Sequence, residues 1–256
     1  MRRWVGTAAA ALLLTSIAGC GSDDAGGSAE GEETTLTVFA ASSLTDSFAE
    51  LGKRFEKSHD GVTVTSNFAG SSDLVAQLQQ GAPADVFASA DQENMDKAVA
   101  DDLVEGEVAN FASNTLQIAV PPGNPGNVSS LQDLAKPDLN VVVCAPEVPC
   151  GAASQEVEKA GGVDIEPVSE EQAVTDVLAK VTTGQADAGL VYVTDVIAAG
   201  DDVQGVTFPE SSTAVNVYPI APLKDSENPQ LAQEFVDLVT SQEGQAVLKD
   251  AGFAKP

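Results

Sequence analysis

Two serine pairs stand where a strand gives way to a helix: Ala40-Ala41-Ser42-Ser43 and Ala69-Gly70-Ser71-Ser72. Each junction offers hydroxyl groups beside the unpaired N–H groups that open a helix. A helix N-terminus also carries partial positive charge, so the combination suits a small anion. In an open α/β sheet such junctions gather at the carboxyl ends of the strands, where ligands bind. Serine also caps helices for purely structural reasons. Two equivalent junctions favour binding over capping alone.

Other chemistries find little support. The one histidine, His59, lies in the polar run Lys57-Ser58-His59-Asp60 and reads as a solvated helix end. Without a second His or a Cys-x-x-Cys, a transition-metal cation site is not supported. There is no Gly-x-Ser-x-Gly elbow and no phosphate loop ending in Gly-Lys-Ser/Thr. A serine nucleophile at Ser43 or Ser71 would lack a base within its own motif. Asp85 begins a short apolar run and reads as a structural carboxylate, because an anion pocket should exclude it.

The elements that must position these serines alternate between strand and helix, which predicts α/β layers with largely parallel sheets. Leu36–Ala40 reads as a strand, followed by a helix carrying Leu44, Phe48, Leu51 and Phe55 at helical spacing. Val62–Phe68 and Ser71–Gln80 repeat the pattern, and Asp85–Ala88 is a short buried strand before a helix capped by Asp91. Further strands are expected at Thr115–Val120, Leu139–Val143, Ala188–Tyr192 and Val215–Ala221. Helices are expected at Ala152–Ala160 and Glu170–Thr183, with two more closing the chain. No Pro/Gly/Ser linker separates two sequential domains. The strands near Thr115–Val120 and Val215–Ala221 are the natural points for the chain to cross into a second lobe and return.

The N-terminus adds an address. Arg2 and Arg3 precede an apolar run from Ala8 to Leu14, too short to span a bilayer, and then Ile17-Ala18-Gly19-Cys20. A Cys after Ile-Ala-Gly resembles the lipobox of bacterial lipoproteins, which predicts a signal peptide over 1–19 and lipid on Cys20. The Gly/Ser/Ala/Asp/Glu stretch to residue 33 cannot bury apolar surface and reads as a flexible tether. About 220 residues follow, enough for two small domains. Loss of Arg2 and Arg3 leaves 10 basic residues from 12 against 39 acidic ones, a net charge of −29. That field repels nucleic acid and anionic lipid headgroups. Cys144 and Cys150 remain, flanking Pro146 and Pro149. In an oxidising compartment they favour a small disulfide loop, with two buried free thiols as the alternative.

The runs Val38-Phe39-Ala40-Ala41-Ser42-Ser43-Leu44-Thr45, Phe68-Ala69-Gly70-Ser71-Ser72, Gly189-Leu190-Val191-Tyr192 and the segment Gly81 to Asp91 resemble the molybdate-binding proteins of ABC transporters. Their order and spacing match as well, as does the ending Ala251-Gly252-Phe253. The likeness covers nearly all of the chain from Thr34. It implies a two-lobed type II periplasmic-binding-protein fold, each lobe a mostly parallel sheet flanked by helices. Residues 34–115 with 220–256 would form a discontinuous first lobe and 116–219 the second. Carried over by position, it implies hydroxyl and N–H donors from Ser43 and Ser71, backbone N–H groups from Cys150 and Val174, and the phenol of Tyr192. The Cys144/Cys150 pair departs from the family's pattern, where a small residue is common at the position of Cys150.

The implied function is capture of molybdate or tungstate as cargo, with no resident cofactor and no cation site. The captured anion would pass to a membrane permease, from a monomer held at the cell membrane by lipid on Cys20. A sulfate or other small-oxyanion receptor is the nearest alternative within binding. A serine-dependent enzyme and an adhesion lipoprotein are the alternatives outside it. The acidic surface does not conflict with an anion ligand. Donors at hydrogen-bond range outweigh surface carboxylates screened over about 8–10 Å.

Overall fold

The structure is a computed structural model that describes residues 33–256. The expected signal peptide, Cys20 and nearly all of the tether lie outside the described residues.

Strand β1 (Thr34–Ala41) runs through a short 3-10 turn, Ser42–Leu44, into helix α1 (Thr45–Ser58). Strand β2 (Val62–Ala69) leads through Gly70 into α2 (Ser71–Gln79), and β3 (Val86–Ala88) into α3 (Gln92–Ala100). Asp91 caps α3 by accepting from the Asn94 N–H at 3.0 Å. The apolar stripe of α1 explains its docking: Phe48 and Phe55 meet Phe235, and Phe48 also meets Phe111, all at ring separations of 5.4–5.9 Å. Each such ring contributes roughly 1.5–3 kcal/mol by leaving water.

Strand β4 (Ala109–Val120) follows, then β5 (Val141–Cys144), α4 (Pro149–Gly161), β6 (Ser169–Glu171), α5 (Val174–Thr182), β7 (Ala188–Tyr192), α6 (Val193–Ala199) and β8 (Gln204–Val206). Strand β9 (Val215–Pro222) and helices α7 (Pro229–Thr240) and α8 (Gln242–Asp250) complete the chain. The strand order is β2-β1-β3-β9-β4-β7-β5-β6, with β8 also on β4.

Strand β4 joins the two halves. Its first part, to Thr115, pairs with β9, whereas Leu116–Ala119 pair with β7. The buried side chains divide at the same point. One core draws on residues from Leu116 to Ala214. The others draw on residues from Leu36 to Ala112 and from Tyr218 to Phe253. The sheets are mixed rather than mostly parallel. The βαβ units give the parallel pairs β1/β2, β1/β3, β5/β6 and β5/β7. The crossing strands add antiparallel pairs, β3/β9 and β4/β9 on one side and β4/β7 and β4/β8 on the other.

Two helix starts differ from the sequence expectation. Helix α4 begins at Pro149, earlier than Ala152, because proline is well suited to the first turn, where no N–H is needed. Helix α5 begins at Val174 rather than Glu170, because Ser169–Glu171 pair with Val142–Cys144 as a strand.

Candidate functional site

The first turns of four elements converge on one small cavity: the Ser42–Leu44 turn, α2, α4 and α5. Its lining includes Ser43, Gly70, Ser71, Cys150, Val174 and Tyr192. The sequence-predicted ligand residues are therefore all brought together, Ser43 and Ser71 from the junctions after β1 and β2, and Cys150, Val174 and Tyr192 from the opposite core. The cavity volume is only about 10 Å³, far below the range of roughly 300–1,000 Å³ usual for drug-sized ligands. That size suits an ion of a few atoms.

The cavity is lined by donors. The backbone N–H groups of Ser43, Ser71, Cys150 and Val174 take no acceptor among the described residues, as the first turn of a helix leaves them. The Tyr192 hydroxyl is buried and likewise has no partner. A buried orphan of this kind costs free energy unless a ligand completes it. The Ser71 hydroxyl accepts from the Ala90 N–H at 2.9 Å, and the Ser43 hydroxyl lies 3.0 Å from that of Tyr218. Burial pushes the phenols of Tyr192 and Tyr218 further up, so both stay protonated.

Among the described residues, no Lys, Arg, Asp or Glu lines the cavity. Two carboxylates stand just behind it, each already engaged. Asp195 accepts from the Tyr192 N–H at 2.8 Å, and burial pushes its carboxyl up to about 7. Asp91 accepts from Asn94 and Ser89, and burial raises it too. A disulfide joins Cys144 and Cys150, with Cα atoms 5.6 Å apart, and ties the end of β5 to the first turn of α4. Gly151 fits there because a Cβ would meet the Ala145 carbonyl oxygen at 1.9 Å.

Residues 36–254 match the family model described as bacterial extracellular solute-binding protein. The chain belongs to that family. It is 48% identical to the protein named molybdate-binding protein ModA of Mycobacterium tuberculosis, over 99% of this chain and 100% of the relative. The protein of the same name from Escherichia coli is 32% identical over 98% of both chains. The periplasmic molybdate-binding protein of Azotobacter vinelandii superposes with a TM-score of 0.76 at 23% identity, over 86% of this chain and 99% of that one. The sulfate-binding protein SubI of Mycobacterium tuberculosis also gives 0.76, at 19% identity over 87% of each chain. These last two likenesses concern the fold, which is the two-lobed periplasmic-binding-protein fold.

The family is one of solute carriers outside the cytoplasm, not of catalysts. The residues set aside in the sequence stay out of the cavity. Asp85 accepts from the Thr37 N–H at 2.7 Å and from the Ser226 hydroxyl, tying β1 to the segment before α7. His59 is half-buried rather than solvated: it stacks on Phe55 with centroids 3.9 Å apart and meets Glu234 at 2.9 Å. Sequence reasoning missed Tyr218, Asn216 and Asp195. Asn216 donates to the carbonyls of Ala90 and Pro149, both of which line the cavity. A tyrosine inside a strand otherwise read as apolar was the one available signal for Tyr218.

Proposed function

We propose that this protein captures molybdate or tungstate and delivers it to the membrane permease of an ABC importer. Ser43, Ser71, Cys150, Val174 and Tyr192 are the ligand residues in this reading. The observation that carries it is the set of unpaired N–H and O–H donors facing one small cavity that, among the described residues, no charged side chain lines. The strong likeness to proteins named for molybdate binding supports the choice of anion. The dianion is met by oriented dipoles at helix N-termini. Residues 34–115 with 220–256 form one lobe and 116–219 the other in this reading; the division of the cores at β4 supports the first crossing, whereas Tyr218, in the core of the first lobe, favours a return crossing between Ala214 and Tyr218. Closure of the lobes over the anion is the state the permease reads. Lipid on Cys20 keeps the monomer at the membrane.

Titration calorimetry of the mature protein at neutral pH tests this reading. Molybdate and tungstate should bind alike, then sulfate, then phosphate. Sulfate is smaller and leaves donors at long distances. Phosphate near neutral pH carries a proton that finds no acceptor, a loss of about 1–3 kcal/mol, or roughly tenfold to a hundredfold. Displacement of molybdate by phosphate at comparable concentration would overturn the assignment.

A further inference from the structure

A pocket lined by serine does not by itself refuse a protonated anion, because a hydroxyl accepts as readily as it donates. Refusal requires the protein to fix which way each hydroxyl points. At Ser71 that is done by the Ala90 N–H, which occupies a lone pair of the oxygen and leaves the proton for the cavity. At Ser43 the partner is the hydroxyl of Tyr218, at 3.0 Å, where either oxygen could donate.

We propose that Tyr218 is a positioning residue that sets the polarity of Ser43 and thereby selects fully deprotonated oxyanions. The inference rests on the oxyanion reading above and adds a residue to it. Tyr218 is completely buried in the middle of β9. Its ring packs against Phe253, Tyr192 and Phe111 at centroid separations of 5.3–6.2 Å, so the phenol is held in place. Among the described residues the phenol oxygen has the Ser43 hydroxyl as its one hydrogen-bond partner, and Asn114 is turned to Thr194 and the Thr115 N–H. If Ser43 donated to Tyr218, the phenol's proton would be a buried orphan and the Ser43 lone pairs would face the anion. If Tyr218 donates, every proton has an acceptor once the anion is bound, and Ser43 must give its own proton to the ligand. Ser43 then has no means of accepting from a protonated ligand without stranding its own proton.

The test is Tyr218→Phe in the mature protein, alone and combined with Ser43→Ala, titrated with molybdate and with inorganic phosphate at pH 7. The phenylalanine keeps the ring contacts, and a thermal melt checks that the variant is folded. Molybdate affinity should fall about tenfold, the worth of one hydrogen bond to a charged group. Phosphate affinity should hold or rise, so that selectivity narrows. In the Ser43→Ala background, Tyr218→Phe should have no further effect on molybdate. An equal loss for both anions, or the same loss with and without Ser43, would mean that Tyr218 acts through packing and would overturn the proposal. So would unchanged affinity and selectivity. A wild-type protein that binds neither anion would bring down this inference together with the function on which it rests. A wild type that binds molybdate while the variants fail the pattern above sinks the inference alone.

Discussion

The Ser71 hydroxyl accepts from the Ala90 N–H and still has its own proton to give. Ser71→Ala should therefore lose twice. Oxyanion affinity should fall by roughly 1–3 kcal/mol, as for a hydrogen bond to a charged group. Stability without ligand should also fall, by about 1–3 kcal/mol, because the Ala90 N–H is left buried without an acceptor. Calorimetry and denaturant unfolding measure the two separately, and unchanged affinity would remove Ser71 from the site. Asp195 makes a prediction of the opposite kind. Its carboxyl is pushed from 3.8 up to about 7 by burial, so the folded protein holds a proton that the unfolded chain releases above about 4. Stability from this group is then greatest below about pH 4 and is lost as pH rises toward 7. Asp195→Asn keeps an acceptor for the Tyr192 N–H and cannot titrate. The stability of wild type relative to this variant should rise as pH falls from 7 to 4. A difference independent of pH would show that Asp195 does not hold the proton.

At the scale of elements, the apolar periodicity of α1, α2 and β7 made them legible, and the serines at two of the junctions pointed to the candidate cavity. What periodicity could not show were features decided by a neighbour. Ser169–Glu171 form a strand because β5 offers an open edge, although their residue types suit a helix start. The first half of β4 was missed because Asn110, Ser113 and Asn114 are polar, yet Ser113 and Asn114 are buried and pair with β9. Asn114 is satisfied there by donating to Thr194 at 2.8 Å. A helix begun at Glu170 would place Val174 inside it with its N–H paired, and the start of α5 at Val174 leaves that N–H without an acceptor among the described residues. The disulfide between β5 and α4 belongs to the same scale. It closes a short loop, so the chain-entropy estimate gives it about 2 kcal/mol of stability. It also holds the turn from which Cys150 presents its N–H. Labelling of the unfolded, non-reduced mature protein should find neither thiol free. Reduction should lower molybdate affinity severalfold as well as the melting temperature. Quantitative labelling of both thiols before reduction would count against the bond in solution.

At the scale of the whole molecule, the two lobes meet across the cavity at Gly70. Its backbone, at φ −60° and ψ 141°, is one that any residue can adopt. Glycine is required instead by contact: a Cβ there would lie 2.0 Å from the Gln172 carbonyl oxygen and 3.6 Å from the Val148 side chain, both on the opposite lobe. The clash is with backbone and cannot be relieved by turning a side chain, so it must be relieved by holding the lobes apart. Gly70→Ala should therefore act on closure rather than on folding. An open form has no Gln172 carbonyl at that distance, and alanine in an allowed conformation costs the fold little. If binding requires the closed form, apparent affinity falls in proportion to the fraction of molecules able to close. Molybdate affinity should fall tenfold or more, with the ligand-free melting temperature close to that of wild type. Small-angle scattering should show wild type contracting when molybdate is added and the variant contracting less. A variant that binds within twofold of wild type and contracts equally would show that the lobes can seal around the anion without the close contact at Gly70.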